Sequence, residues 1–99
     1  MYDVLGIGHA IVDVINERED AFLLRHNIEK NSMRYADGET IENLYNPTTF
    51  SQMTPGGGVT NTLFAISSFG GTTQLISKVA EDERGQYFRG TIAQEGIVF

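Results

Sequence analysis

The chain has no cysteine, which excludes disulfides, thiolate nucleophiles and cysteine metal sites and fits a reducing compartment, so a cytoplasmic location is expected. Basic side chains are scarce. Seven Lys and Arg against thirteen Asp and Glu leave a net charge of -6, the wrong sign for gripping a nucleic-acid backbone. No run approaches the roughly 18 apolar residues that a membrane helix needs, and Met1-Tyr2-Asp3-Val4 lacks the basic region that opens a secretory signal. Neither nucleic acid nor membrane is an expected partner. His9 and His26 fall in different predicted elements with no carboxylate or thiol cluster at ligand spacing, so no metal site is expected. A G-x-x-x-x-G-K-[ST] phosphate loop is also missing.

What is there is ordinary globular composition, 40% hydrophobic and 20% charged. At 99 residues such a chain buries only about two thirds of its unfolded surface, enough for one domain or part of one. Val4, Leu5 and Ile7 with the Gly6/Gly8 pair predict a short buried strand entering a tight bend, and the β-branched stretch Ala10 to Asn16 predicts a second strand. On a period of two, Asp13 shares a face with Ile11 and Ile15, opposite Ala10, Val12 and Val14. A helix is predicted over Asp20 to Asn27, then a short strand over Ser32 to Ala36. Asp37 caps a further helix carrying Ile41, Leu44 and Tyr45, stopped by Asn46-Pro47. Thr48 to Thr54 reads as extended. A helix from Val59 with Leu63, Ile66 and Phe69 on one side ends at Gly70-Gly71, and a strand over Gln74 to Val79 follows. Asp82 caps a helix through about Gln94, cored by Tyr87, Phe88 and Ile92, and Ile97-Val98-Phe99 begins another strand. Strands alternating with helices predict an α/β fold with a mainly parallel sheet, and too few strands are present to complete one.

The most informative segment is Pro55-Gly56-Gly57-Gly58-Val59-Thr60-Asn61. Three glycines without Cβ atoms allow close approach to the backbone, and the first-turn amides of the helix that follows are left without intrahelical partners. Pro55 has no amide to give, so the strand before it should end there. Asn61 reads either as a helix cap or as a side-chain amide that donates to and accepts from a hydroxyl. Asp13 likewise reads either as a carboxylate on an edge strand facing water or as an acceptor for two neighbouring sugar hydroxyls. Gly6-Ile7-Gly8-His9-Ala10-Ile11 begins like a dinucleotide fingerprint, but Ile11 stands at the third glycine position and a strand follows. A Rossmann-type oxidoreductase is disfavoured on that ground.

Three segments together resemble the N-terminal part of a PfkB-family, ribokinase-like carbohydrate kinase of the adenosine kinase and sugar kinase branch. They are Gly6 to Asp13, Gly56 to Thr62, and Gly70 to Gly85 with its Ser77-Lys78-Val79-Ala80-Glu81-Asp82-Glu83-Arg84-Gly85 tail, and the likeness runs in order through essentially all 99 residues. The resemblance implies a single partial domain, residues 1-99, that is the substrate-side half of an α/β/α sandwich, with a small β lid near 10-16 and 48-54. It implies that Asp13 holds sugar hydroxyls, that Gly56 and Gly57 line the sugar and that Asn61 hydrogen-bonds it. His9 stands where the family usually has asparagine and Gly58-Val59-Thr60 replaces a Ser-Ala-Ala-like run, so His9 joins the candidate substrate-binding residues and the substrate is left open. The family's Gly-Ala-Gly-Asp motif, with its catalytic base, anion hole and ATP pocket, is absent. No catalytic residue is therefore expected in this chain, ATP and Mg2+ are implied for the full-length family member alone, and the 99 residues are expected not to phosphorylate a sugar or nucleoside by themselves. A rival reading is a standalone, non-catalytic sugar- or nucleoside-binding module, with the lid as a candidate homodimer surface.

Overall fold

The structure, a computed structural model, describes residues 1–45 and 51–99. Along the chain the elements are β1 (Val4–Ile7), β2 (Ile11–Asn16), α1 (Asp20–Arg25), α2 (Gly38–Leu44), β3 (Ser51–Gly56), α3 (Gly58–Ser68), β4 (Thr73–Ile76), α4 (Glu83–Gln94) and β5 (Ile97–Val98). They divide into two compact units, Met1–Val14 with Met53–Phe99, and Ile15–Gln52.

The larger unit is built on a parallel sheet of order β1-β4-β5. Val4 lies opposite Thr73 and Thr73 opposite Ile97, while Ile7 lies opposite Ile76. Asp3 sets this register from outside the strands: its N–H donates to the Thr72 carbonyl at 2.9 Å and its carboxylate accepts from the Thr72 N–H at 2.9 Å. Strand side chains alternate between faces, and one face collects Leu75 and Ile97 against Leu63 of α3 and Phe88 and Ile92 of α4, all buried. Phe99 closes the end of this core, edge-on to Phe88 at 5.9 Å between ring centroids and beneath the Arg89 guanidinium. The predicted alternation of strands and helices is present, and the sheet is parallel, as expected.

The helix ends follow local chemistry. Asp82 accepts from the Gly85 N–H at 2.8 Å and Asp37 from the Thr40 N–H at 2.8 Å, so both predicted aspartate caps form. Gly70, at φ +93°, and Gly71 end α3, whose Ile66 carbonyl accepts from the Gly71 N–H at 3.0 Å. Asn27, at φ 54°, closes α1.

Several expectations are corrected. Ser32 to Ala36 is not a strand: Asn31 turns the chain at φ 61°, Ser32 donates to the Glu29 carbonyl, and Met33 and Tyr35 are exposed. Phe69 is not a core residue of α3 but its C-cap, 90% exposed. β1 is not buried throughout, because only Gly6 among its residues is buried while Leu5 and Ile7 face outward. β4 stops at Ile76, short of Val79, and β3 runs one residue past Pro55, to Gly56. The predicted Asn46-Pro47 stop and the start of the extended stretch at Thr48 lie outside the described residues.

Candidate functional site

The bend from β1 into β2 and the turn from β3 into α3 meet beyond the C-terminal ends of the parallel strands β1 and β4. In open parallel α/β sheets this is where ligand sites form. Gly8, the first residue of the bend, donates its N–H to the Ile76 carbonyl at 3.3 Å and accepts from the Ser77 hydroxyl at 2.6 Å. Ser77 thus ties the bend to the end of β4.

The Gly6-x-Gly8 pair has a packing cause. A Cβ on either glycine would lie 2.6 Å from a methyl of Val59, in the first turn of α3. Both glycines let α3 seat its N-terminus against the sheet, which accounts for the pair without a phosphate ligand.

β2 and β3 form a separate two-stranded sheet. Along β2 the expected alternation holds, with Ile11, Asp13 and Ile15 exposed and Val12 and Val14 half-buried. The Asp13 carboxylate lies against Gly56, the last residue of β3, so closely that a Cβ there would overlap its Oδ2. Gly57 follows at φ +101°, open to glycine, and a Cβ on it would sit 2.6 Å from the His9 carbonyl oxygen. The close approach expected of the glycine triplet is therefore made at Gly56 and Gly57 by the chain itself, through Asp13 and His9.

Gly57 is the N-cap of α3, and the Asn61 N–H donates to its carbonyl at 2.9 Å. Asn61 is thus one full turn inside the helix and does not cap it, which removes one of its two readings. Its side chain stands exposed above the first turn, as do those of His9 and Asp13 around the glycines. A carboxylate that only accepts, a carboxamide that does both, an imidazole, and the free amides at the start of α3 are a donor and acceptor set matched to a polyol.

All five candidate residues, His9, Asp13, Gly56, Gly57 and Asn61, belong to the larger unit and cluster at this junction. Three contributors escaped the sequence reading. Val59 and Ser77 act by position, and Tyr87 on α4 donates its hydroxyl to the Met53 carbonyl of β3. Only Ser77 left a signal, as a hydroxyl directly after the apolar pair Leu75-Ile76 inside the predicted strand Gln74 to Val79. Among the described residues no three His, Asp or Glu side chains come together as metal ligands, and no helix is long and apolar enough to cross a membrane.

No protein-family model matches this chain, and no curated protein sequence does. Solved structures do. The adenosine kinase of Sinorhizobium meliloti is 37% identical over 99% of this chain, with a TM-score of 0.76. The chain has the ribokinase-like fold of PfkB kinases. A probable sugar kinase of Rhizobium etli CFN 42 is 34% identical over 98% of the chain at a TM-score of 0.75. Adenosine kinase of Schistosoma mansoni, solved with adenosine, shares the fold at 19% identity over 95% of the chain and a TM-score of 0.76. The 99 residues span about 30% of the length of these kinases, covering 30%, 29% and 29% of their chains respectively.

Proposed function

We propose that this chain is the substrate-side portion of an ATP-dependent sugar or nucleoside kinase, which in its full form transfers the γ-phosphoryl of ATP to a primary hydroxyl. The observation that carries the reading is the contact of the Asp13 carboxylate with buried Gly56, beside Gly57 and the first turn of α3. Asp13 accepts from two neighbouring ribose hydroxyls, Asn61 and His9 fix the sugar from either side, and Gly56 and Gly57 keep its path clear of side chains. The β2–β3 ribbon serves as the lid.

The sequence has no Gly-Ala-Gly-Asp motif, so we assign ATP, Mg2+ and the catalytic base to the part of the kinase fold outside these residues. Phosphoryl transfer is accelerated by positioning and by neutralising charge on the transferring group, and acceptor positioning alone leaves the 99-residue chain inactive. The buried cluster around Phe88 and Ile92 supports a second reading, a cytoplasmic non-catalytic binding module that folds on its own core and pairs through the ribbon.

Thermal melts with and without millimolar adenosine, read by circular dichroism, test both readings. A cooperative transition raised by adenosine in the wild type and not in Asp13→Ala is the expected result, and equal shifts in the two proteins would sink the assignment of Asp13. Phosphorylation above that of Asp13→Ala would refute inactivity.

A further inference from the structure

The last residues of β3 have little of their own to hold them in place. The strand belongs to a two-stranded sheet, which is marginal without packing beneath it, and Pro55 has no N–H to give to a ladder. Gly56 and Gly57, which follow, lose more conformational freedom on ordering than any other residue type would. Even so, Gly56 is buried and the Asp13 carboxylate lies where its Cβ would be. The strand needs an anchor outside the ribbon.

Tyr87 is placed to be that anchor. Its half-buried phenol donates to the Met53 carbonyl from a position 34 residues further along the chain. Met53 is the residue at which the chain re-enters the larger unit, and it precedes Gly56 by about 10 Å of extended strand. The donor side is rigid. Tyr87 is next to Phe88 on α4, and both Phe88 and Ile92 are 0% exposed. The start of the helix is fixed as well, by the Asp82 cap on the Gly85 N–H and by Gly85 itself, where a Cβ would overlap the Ala80 carbonyl oxygen. A helix locked along its core side and at its first turn gives the Tyr87 hydroxyl a set position.

We propose that Tyr87 is a positioning residue for the acceptor site: through its hydroxyl, α4 sets β3 so that Gly56 lies against the Asp13 carboxylate. Its consequence for substrate rests on the reading of Asp13 as the carboxylate that holds the sugar.

Tyr87→Phe keeps the ring and removes the donor. In 15N-labelled chains without ligand, the displacement of the Gly56 amide signal by Asp13→Asn reports how closely the carboxylate lies against it. That displacement should be at least about twofold smaller in the Tyr87→Phe background than in wild type. Ser67→Ala, which removes the part-buried hydroxyl contact to Thr73 at the N-terminal end of β4, is the control and should leave it unchanged. Equal displacements in wild type and Tyr87→Phe, or no displacement in wild type, would overturn the inference. So would an equal reduction in Ser67→Ala or loss of the wild-type melt in Tyr87→Phe, since the hydroxyl would then serve the fold and not the site. Adenosine is titrated afterwards. Tyr87→Phe should weaken its binding about 2- to 13-fold, as far as one net hydrogen bond shifts the population of the competent position, and should have no effect once Asp13 is alanine. Binding reduced by Asp13→Ala but unchanged by Tyr87→Phe would also overturn the inference, whereas a reduced Gly56 displacement with binding indifferent to Asp13→Ala would count against the substrate reading alone.

Discussion

Replacing Gly56 by alanine puts a methyl group where the Asp13 carboxylate lies. The obstacle is the far end of a side chain on an exposed face and not backbone, so it can rotate away at a rotamer cost of about 0.5–1.5 kcal/mol. Stability should therefore fall by no more than about 1.5 kcal/mol in urea unfolding. The carboxylate, however, is displaced from the position in which it accepts from two hydroxyls. At a net 0.5–1.5 kcal/mol for each hydrogen bond, affinity for adenosine should drop by about 1–3 kcal/mol, roughly 5- to 150-fold. NMR titration of the wild type, Gly56→Ala, Asp13→Ala and the double variant gives the decisive cycle. If Gly56 acts through Asp13, the alanine costs nothing more once the carboxylate is gone. Equal losses from Gly56→Ala in both backgrounds would refute the reasoning, and so would unchanged binding by the single variant.

Gly8→Ala should behave in the opposite way, because its methyl meets the stiff, β-branched Val59 at the helix start: overpacking costs about 1–3 kcal/mol of stability, and a urea midpoint equal to wild type would contradict it. Phe88→Ala empties the centre of the core and should cost about 3–5 kcal/mol, a large part of the stability of so small a domain, leaving a broad, non-cooperative melt. At Asp37, hydrogen bonds from the Thr40 side chain and then the Thr40 N–H hold the carboxyl below the usual carboxylate range. A pKa lowered by folding contributes stability above the unfolded value, near 3.9, that is lost as pH falls through the folded value. The difference in α2 helicity between wild type and Asp37→Ala should accordingly be present at pH 6 and vanish in stronger acid, and a difference that persists there would contradict the cap's role.

Features set by chemistry within one turn were legible in the sequence. Asp37 and Asp82 each reach an amide three residues on, and Gly70 takes the positive φ that ends a helix. The alternation along β2 was legible too, since Asp13 among β-branched residues fixes which face meets water. Tertiary facts were not. Exposure of Leu5 and Ile7 depends on what packs beneath the sheet, and an apolar run reads alike with one face covered or two. Ser32 to Ala36 has strand-like composition but no ladder partner, and β-propensity counts only against a neighbouring strand. At the site, composition picked out the glycines and Asp13, while a start to α3 one residue earlier than predicted moved Asn61 out of reach of the cap. The roles of Val59 and Ser77 arise only when the β1–β2 bend is laid against α3 and the end of β4.

The exposure of His9, Asp13 and Asn61 sets the strength of binding to be expected from this chain alone. Each hydrogen bond to a sugar there replaces one to water, so three or four of them amount to about 1.5–6 kcal/mol, a Kd between roughly 0.04 and 80 mM. Lost translational and rotational freedom moves the value toward the weak end of that range. The same groups beneath a complete kinase fold would act in a drier, lower-dielectric cleft, where each polar contact is worth more. Adenosine should therefore bind the 99-residue chain in the millimolar range, and bind a chimera in which the chain replaces the matching third of the Sinorhizobium meliloti kinase at least about tenfold more tightly. Parallel NMR titrations measure both. Micromolar binding by the isolated chain would mean that its site is already closed, and equal affinity in the two proteins would mean that completing the fold does nothing for the site.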